Sequence, residues 1–115
     1  MTTYVRGSVV VVRLDPREGA EKKGTSPCLV VQNDRGNESS PLTIVVPLTN
    51  RDHVKRMYPF LVAVDRGDGG LDIDSVADCG QILTIDRGRI VEVRSKVSDT
   101  TLARIDRALR ISLAL

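Results

Sequence analysis

At 115 residues and 41% hydrophobic content, the chain has the size of one domain, 1–115, that buries a single modest core. Its 17 basic and 15 acidic residues are too evenly matched to grip nucleic acid by bulk charge, so RNA binding would need a local basic cluster.

The first predicted element is a β-branched strand over 8–14, apolar on both faces and therefore covered on both sides; it stops at Pro16, which has no amide to donate. A polar, Gly-containing loop follows, and a second apolar run, 28–31, begins directly after Pro27. Residues 32–41 are dense in turn formers and read as a loop. Further strands are expected at 42–48, 61–64, 76–85 and 90–93, with a hairpin turn at Asp86-Arg87-Gly88-Arg89 joining the last two. Many short strands separated by turns indicate a small barrel or sandwich. From Ser98 the period changes: Leu102, Ile105, Leu109 and Leu113, widened by Ala108 and Ile111, form the apolar stripe of a helix capped by Ser98 or Asp99. Arg104, Arg107 and Arg110 then fall on its solvated face.

Cys28 and Cys79 stand alone in strand-like surroundings, and His53, a surface residue on this reading, is the single histidine. The two cysteines therefore read as buried structural thiols rather than a disulfide or a zinc site. No metal and no cofactor is expected. No signal peptide precedes Tyr4 and no apolar run approaches the ~20 residues of a membrane span, so the expected location is cytoplasmic, away from membranes. Tyr4, Tyr58 and Phe60 are the only aromatics, which limits base stacking and leaves recognition of a single strand to backbone amides and loop side chains.

Four ordered segments carry a resemblance: the loop Asp15-Pro16-Arg17-Glu18-Gly19-Ala20-Glu21-Lys22-Lys23-Gly24-Thr25-Ser26-Pro27, then Gln32-Asn33-Asp34, then Thr43-Ile44-Val45-Val46-Pro47-Leu48-Thr49, then residues 74–90. Together they resemble the MazF/PemK toxins, and the closing amphipathic helix fits as well. The resemblance implies a mainly β (α+β) fold, an SH3-like small barrel of the CcdB/PemK type with a C-terminal helix. It also implies a homodimeric endoribonuclease that cuts single-stranded RNA without metal through a 2′,3′-cyclic phosphate and is held by a cognate antitoxin. Such chemistry needs a base for the ribose 2′-hydroxyl, an acid for the departing 5′-oxygen and donors for the charge on the phosphorane.

By resemblance, Glu21 is a candidate base, Thr49 a hydroxyl donor and Lys23 a phosphate-directed cation; Gly19, Thr25, Pro27, Asn33 and Gln81 are candidate substrate contacts. Thr49 also reads as a cap for the polar segment 50–56, and Gln81, on a central strand, as a core polar group needing a partner. The groove is expected between loops 15–27 and 65–71. The family loop runs Gly-x-Glu-x-x-(Gly or Lys)-x-Arg-Pro, and Ser26 stands where its catalytic arginine would be. One neutral hydroxyl does not replace a charged fork of donors. Three explanations stay open: an inactivating substitution introduced to allow expression, rescue by Lys22, Lys23 or Arg17, and a natural inactive homologue. A non-catalytic binder of antitoxin or RNA is the alternative function, and a CcdB-like gyrase poison a weaker one, since the chain has no Trp.

Overall fold

The computed structural model describes residues 4–13 and 24–115. Strand β1, Ser8–Arg13, is the expected β-branched run, buried at every position but the last. Strand β2 spans Thr25–Val30 and so begins three residues before the expected start. It takes in Pro27, which lies opposite Val11 of β1, whereas the ladder to the next strand, β3 at Leu42–Asn50, starts only at Cys28. A proline is tolerated where one flank of the strand carries no ladder.

Between β2 and β3 the expected loop contains a helix, α1, Asp34–Ser39. Asn33 starts it by accepting the Gly36 amide at 2.8 Å. The buried Asn37 then ties it down, receiving Thr43 Oγ1 at 2.8 Å and Gln32 Nε2 at 3.0 Å. A polar segment this short folds because its cap and its one buried amide are both satisfied.

The run expected as one strand over 76–85 is two strands, β5 at Ser75–Asp78 and β6 at Leu83–Asp86, with β4 at Leu61–Val64 preceding them. Both run antiparallel to β3: β5 against Leu48–Asn50 and β6 against Leu42–Val45. Residues 79–82 form a bulge between them, exposed at Gly80 and Gln81, while Cys79 stays buried in the core. Asp78 organises this bulge, its Oδ1 accepting the Gly80 amide at 2.9 Å. The expected β6–β7 hairpin is also absent, because β7, Ile90–Lys96, pairs with β1. Asp86 caps a single 3-10 turn, Arg87–Arg89, that carries the chain from one strand system to the other.

The result is a seven-stranded antiparallel sheet, ordered β4-β5-β3-β2-β1-β7, with β6 also on β3. Helix α2, Asp99–Leu113, closes the chain, so the mainly β (α+β) expectation is met. Residues of alternating parity feed two cores. Val9, Leu29, Val46, Leu48, Val62 and Val64 pack with Ile105 and Ala108 of α2. Val10, Val12, Cys28, Val30, Val45 and Ile85 pack with Tyr4, Ile90 and Val93. Because β6 and β7 meet in this second core without pairing, the strands between them curl into a half-barrel.

Ser98 caps α2, accepting the Thr101 amide at 3.2 Å, and Asp68 accepts both the Ser98 amide at 2.8 Å and the Thr101 hydroxyl at 2.5 Å. The segment carrying Asp68 therefore fastens the helix start. Beside it, Gly69 is buried at φ +66°, where a Cβ would overlap Val9 Cγ2 and lie 2.9 Å from Val97 Cγ1. Gly69→Ala is expected to cost about 2–4 kcal/mol, from overpacking plus the strained backbone, read as a lowered denaturant midpoint at unchanged m-value.

Candidate functional site

Side-chain alternation puts Val12 of β1, Ser26 and Cys28 of β2, and Val45, Pro47 and Thr49 of β3 on one face of the sheet. A cavity of about 310 Å³ opens on that face, lined by Ser26, Cys28, Pro47, Gln81 and Arg89 among others. Ser26 is half-buried there and Thr49 is exposed two residues beyond Pro47. The β2–β3 register pairs Cys28 with Pro47, and continuing it by two residues sets Ser26 against Thr49, although the ladder itself ends at Cys28.

Thr49 does not cap the following 3-10 turn, Arg51–His53. Asn50 does, its Oδ1 accepting the Asp52 amide at 2.9 Å. The Thr49 hydroxyl is thus left out of the turn. Gln81 does not lie on a central strand: the bulge at 79–82 carries it, exposed, to the cavity, and its partner is Asp78, whose Oδ2 accepts Gln81 Nε2 at 2.8 Å.

Arg89 is the residue that sequence reasoning missed. Ile90 faces Val12 on β1, and Val12 faces Ser26, so Arg89 sits two strands away from Ser26 at the same level. Its Nε and Nη2 donate to the Arg13 carbonyl at 3.0 and 2.6 Å, which fixes the plane of the guanidinium over the end of β1. Among the described residues it is the one cation lining the cavity. Its signals in the sequence were its place in Asp86-Arg87-Gly88-Arg89, which read as a turn, and in the 74–90 segment that carries the resemblance.

The remaining candidates divide. Thr25 is exposed at the start of β2, and Pro27, of opposite parity to Ser26, turns to the other face. Asn33 is occupied as the cap of α1 and is not at the cavity. Gly19, Glu21 and Lys23, with Arg17 and Lys22, lie outside the described residues. The segment 65–71 is not a wall of this cavity: its Gly69 abuts Val9 and Val97 and its Leu71 belongs to the other core. Burial is the reason, since Leu71 packs beneath α2. His53 is exposed, as expected.

With this geometry in place, one comparison decides the family. The model of the PemK-like, MazF-like toxins of type II toxin-antitoxin systems matches residues 5–113. The chain belongs to this family.

Solved structures share this fold. An endoribonuclease from a Mycobacterial species, in complex with its cognate antitoxin, superposes with a TM-score of 0.80 at 24% identity, covering 98% of this chain and 97% of that one. The MazE–MazF complex (Form-II) of Deinococcus radiodurans gives 0.77 at 21%, covering 100% and 99%. Mycobacterium tuberculosis toxin MazF-mt6 gives 0.77 at 18%, covering 94% and 97%.

The cavity offers limited chemistry. Cys28, at its floor, is no nucleophile: burial pushes its thiol up to about 11, opposed only in part by the Arg89 charge, so it stays neutral near pH 7. Cys79 is likewise pushed up to about 11, by burial and then by Asp78. Both are free and buried. Among the described residues no three His, Cys, Asp or Glu side chains gather at metal-binding distance. What remains is one guanidinium, two hydroxyls and an amide, a set that binds and polarises an anion.

Proposed function

We propose that this toxin is an endoribonuclease that holds single-stranded RNA along the cavity of Ser26, Gln81 and Arg89, with Thr49 on the same face. The observation that carries the reading is this convergence of a cation and neutral donors on one face of a chain matched to the toxin family over residues 5–113. Arg89 and Thr49 take the scissile phosphate, and Gln81 takes an adjacent base or sugar. Glu21 removes the 2′-hydroxyl proton, the 2′-oxygen bonds to phosphorus as the P–O5′ bond breaks, and the departing 5′-oxygen takes a proton from solvent water, which leaves a 2′,3′-cyclic phosphate. The chain works as a cytoplasmic homodimer restrained by a cognate antitoxin, in keeping with the antitoxin-bound relatives. No helix among the described residues is long and apolar enough to cross a membrane.

Ser26 specifically favours a second reading, a toxin homologue that binds RNA or antitoxin without cutting. Incubation with defined single-stranded RNA in excess chelator separates the two. Cleavage with a 2′,3′-cyclic phosphate on the upstream product, seen by mass spectrometry, supports the endoribonuclease. Cleavage lost in chelator and restored by magnesium overturns the mechanism, and RNA bound but left intact supports the second reading.

A further inference from the structure

The chain has only three aromatics, yet the fold brings two of them together. Tyr58 and Phe60, in the segment 54–60 that leads into β4, stack with ring centroids 5.5 Å apart and planes within 1° of parallel. The Arg56 guanidinium lies over the Tyr58 ring, 5.9 Å from its centroid. Arg56, Tyr58 and Phe60 thus make one row, while Met57 and Pro59 turn the other way, to a groove beside residues 61–63.

The backbone holds this row in place before any ligand arrives. Pro59 fixes its own φ at the second position of a turn, which the Leu61 amide closes on the Tyr58 carbonyl at 2.9 Å. The Phe60 carbonyl in turn accepts the Cys79 amide at 3.0 Å. The Phe60 ring lies so close to Gly80 that a Cβ there would come within 2.9 Å of its Cδ1. Gly80 precedes Gln81, which lines the Ser26 cavity, so the row starts beside the cavity rim. From there burial falls outward: Phe60 is half-buried, Tyr58 is 46% exposed and Arg56 is exposed.

Charge and shape select the occupant. Lys55 and Arg56 pair with no carboxylate among the described residues. A held, exposed ring beside cations offers a π-face and positive charge together, the two contacts that hold an unpaired base and its phosphate. On the reading of single-stranded RNA as the ligand, we infer that one base of the strand, beyond the nucleotides in the cavity, stacks on Tyr58. Arg56 closes over the far face of that base, and Lys55 meets its phosphate. Tyr58 is a binding residue and takes no part in the cleavage step.

The probe is a fluorescein-labelled 2′-O-methyl RNA decamer containing all four bases, which has no 2′-hydroxyl to attack and so separates binding from cleavage; anisotropy reads its affinity for the full chain. Tyr58→Leu is expected to weaken binding by about 10-fold, and Tyr58→Phe to bind as the parent does. The slope of log K against log salt should not change with Tyr58→Leu, since no charge is removed. In a scan of abasic decamers, one position should cost the parent about 10-fold and the Tyr58→Leu chain little, because that base has then already lost its platform. Equal affinity of the parent and Tyr58→Leu overturns this inference alone, as does an abasic cost that is the same in both chains at every position. A Tyr58→Leu chain that loses RNA together with its sedimentation state makes the stack a contact between copies and also overturns it. A parent chain that binds no single-stranded RNA overturns the functional reading along with it.

Discussion

Ser26→Arg is expected to raise the rate of single-stranded RNA cleavage by about 10²-fold or more, the usual effect of one preorganised transition-state donor. Ser26 faces a cavity of about 310 Å³, and at half-burial it leaves room for a guanidinium without displacing the core beneath. The new side chain would add two charged N–H groups to a site whose lining, among the described residues, holds one cation. RNA affinity should move far less than rate, because the added contact is to charge that builds only in the transition state. Expression of the variant without an antitoxin should be toxic. Thr49→Ala in the Ser26→Arg background should then remove most of the gain, since both side chains would hold one phosphate. Single-turnover kinetics with filter binding read both quantities. If Ser26→Arg stays inert on every single strand tried, the site is wrongly assigned.

Much of the fold was legible because its strands are β-branched runs bounded by proline, glycine and Asx turns, and because the apolar stripe of α2 has helical spacing. What failed was partnership. Residues 76–85 are apolar enough to read as one strand, and nothing local reveals that β3 is met twice, by β5 and then by β6, with slack thrown out as the bulge that carries Gln81. The Asp86-Arg87-Gly88-Arg89 turn is chemically a hairpin turn, yet β7 takes β1 because the half-barrel must close around Val10 and Ile85. The helical stripe was also overextended: Ile105 and Ala108 are buried, whereas Ile111 and Leu113 emerge beyond the sheet at 49% and 53% exposure.

The same limit applied to the site. Ser26 and Thr49 could be named from local motifs, and the sheet supplies a face that they share. Arg89 could not, since its position depends on β1 lying between β7 and β2. Asn33 shows a further limit, because the sequence does not reveal that its side-chain oxygen accepts the Gly36 amide as the cap of α1, away from the cavity.

Arg89→Gln is expected to lower cleavage by the unmodified chain by about 10²-fold, to the floor of most assays. Glutamine keeps a donor near the Arg13 carbonyl but removes the charge, so loss of rate would report the phosphate contact rather than collapse of the strand end. The hydrogen bonds to Arg13 are exposed, and their loss should cost only about 1 kcal/mol in stability. Arg89→Lys keeps the charge without the planar fork and should recover part of the rate, roughly a tenth. In the Ser26→Arg background the same Arg89→Gln change should cost much less, about 10-fold, because a second guanidinium then shares the phosphate and the two effects are not additive. The salt dependence of RNA binding gives an independent measure: removing one phosphate contact should flatten the slope of log K against log salt by about 0.7 for a single strand. An Arg89→Gln chain that cleaves at the parent rate with an unchanged salt slope would remove Arg89 from the site and return the phosphate to Lys23 and its sequence neighbours Arg17 and Lys22.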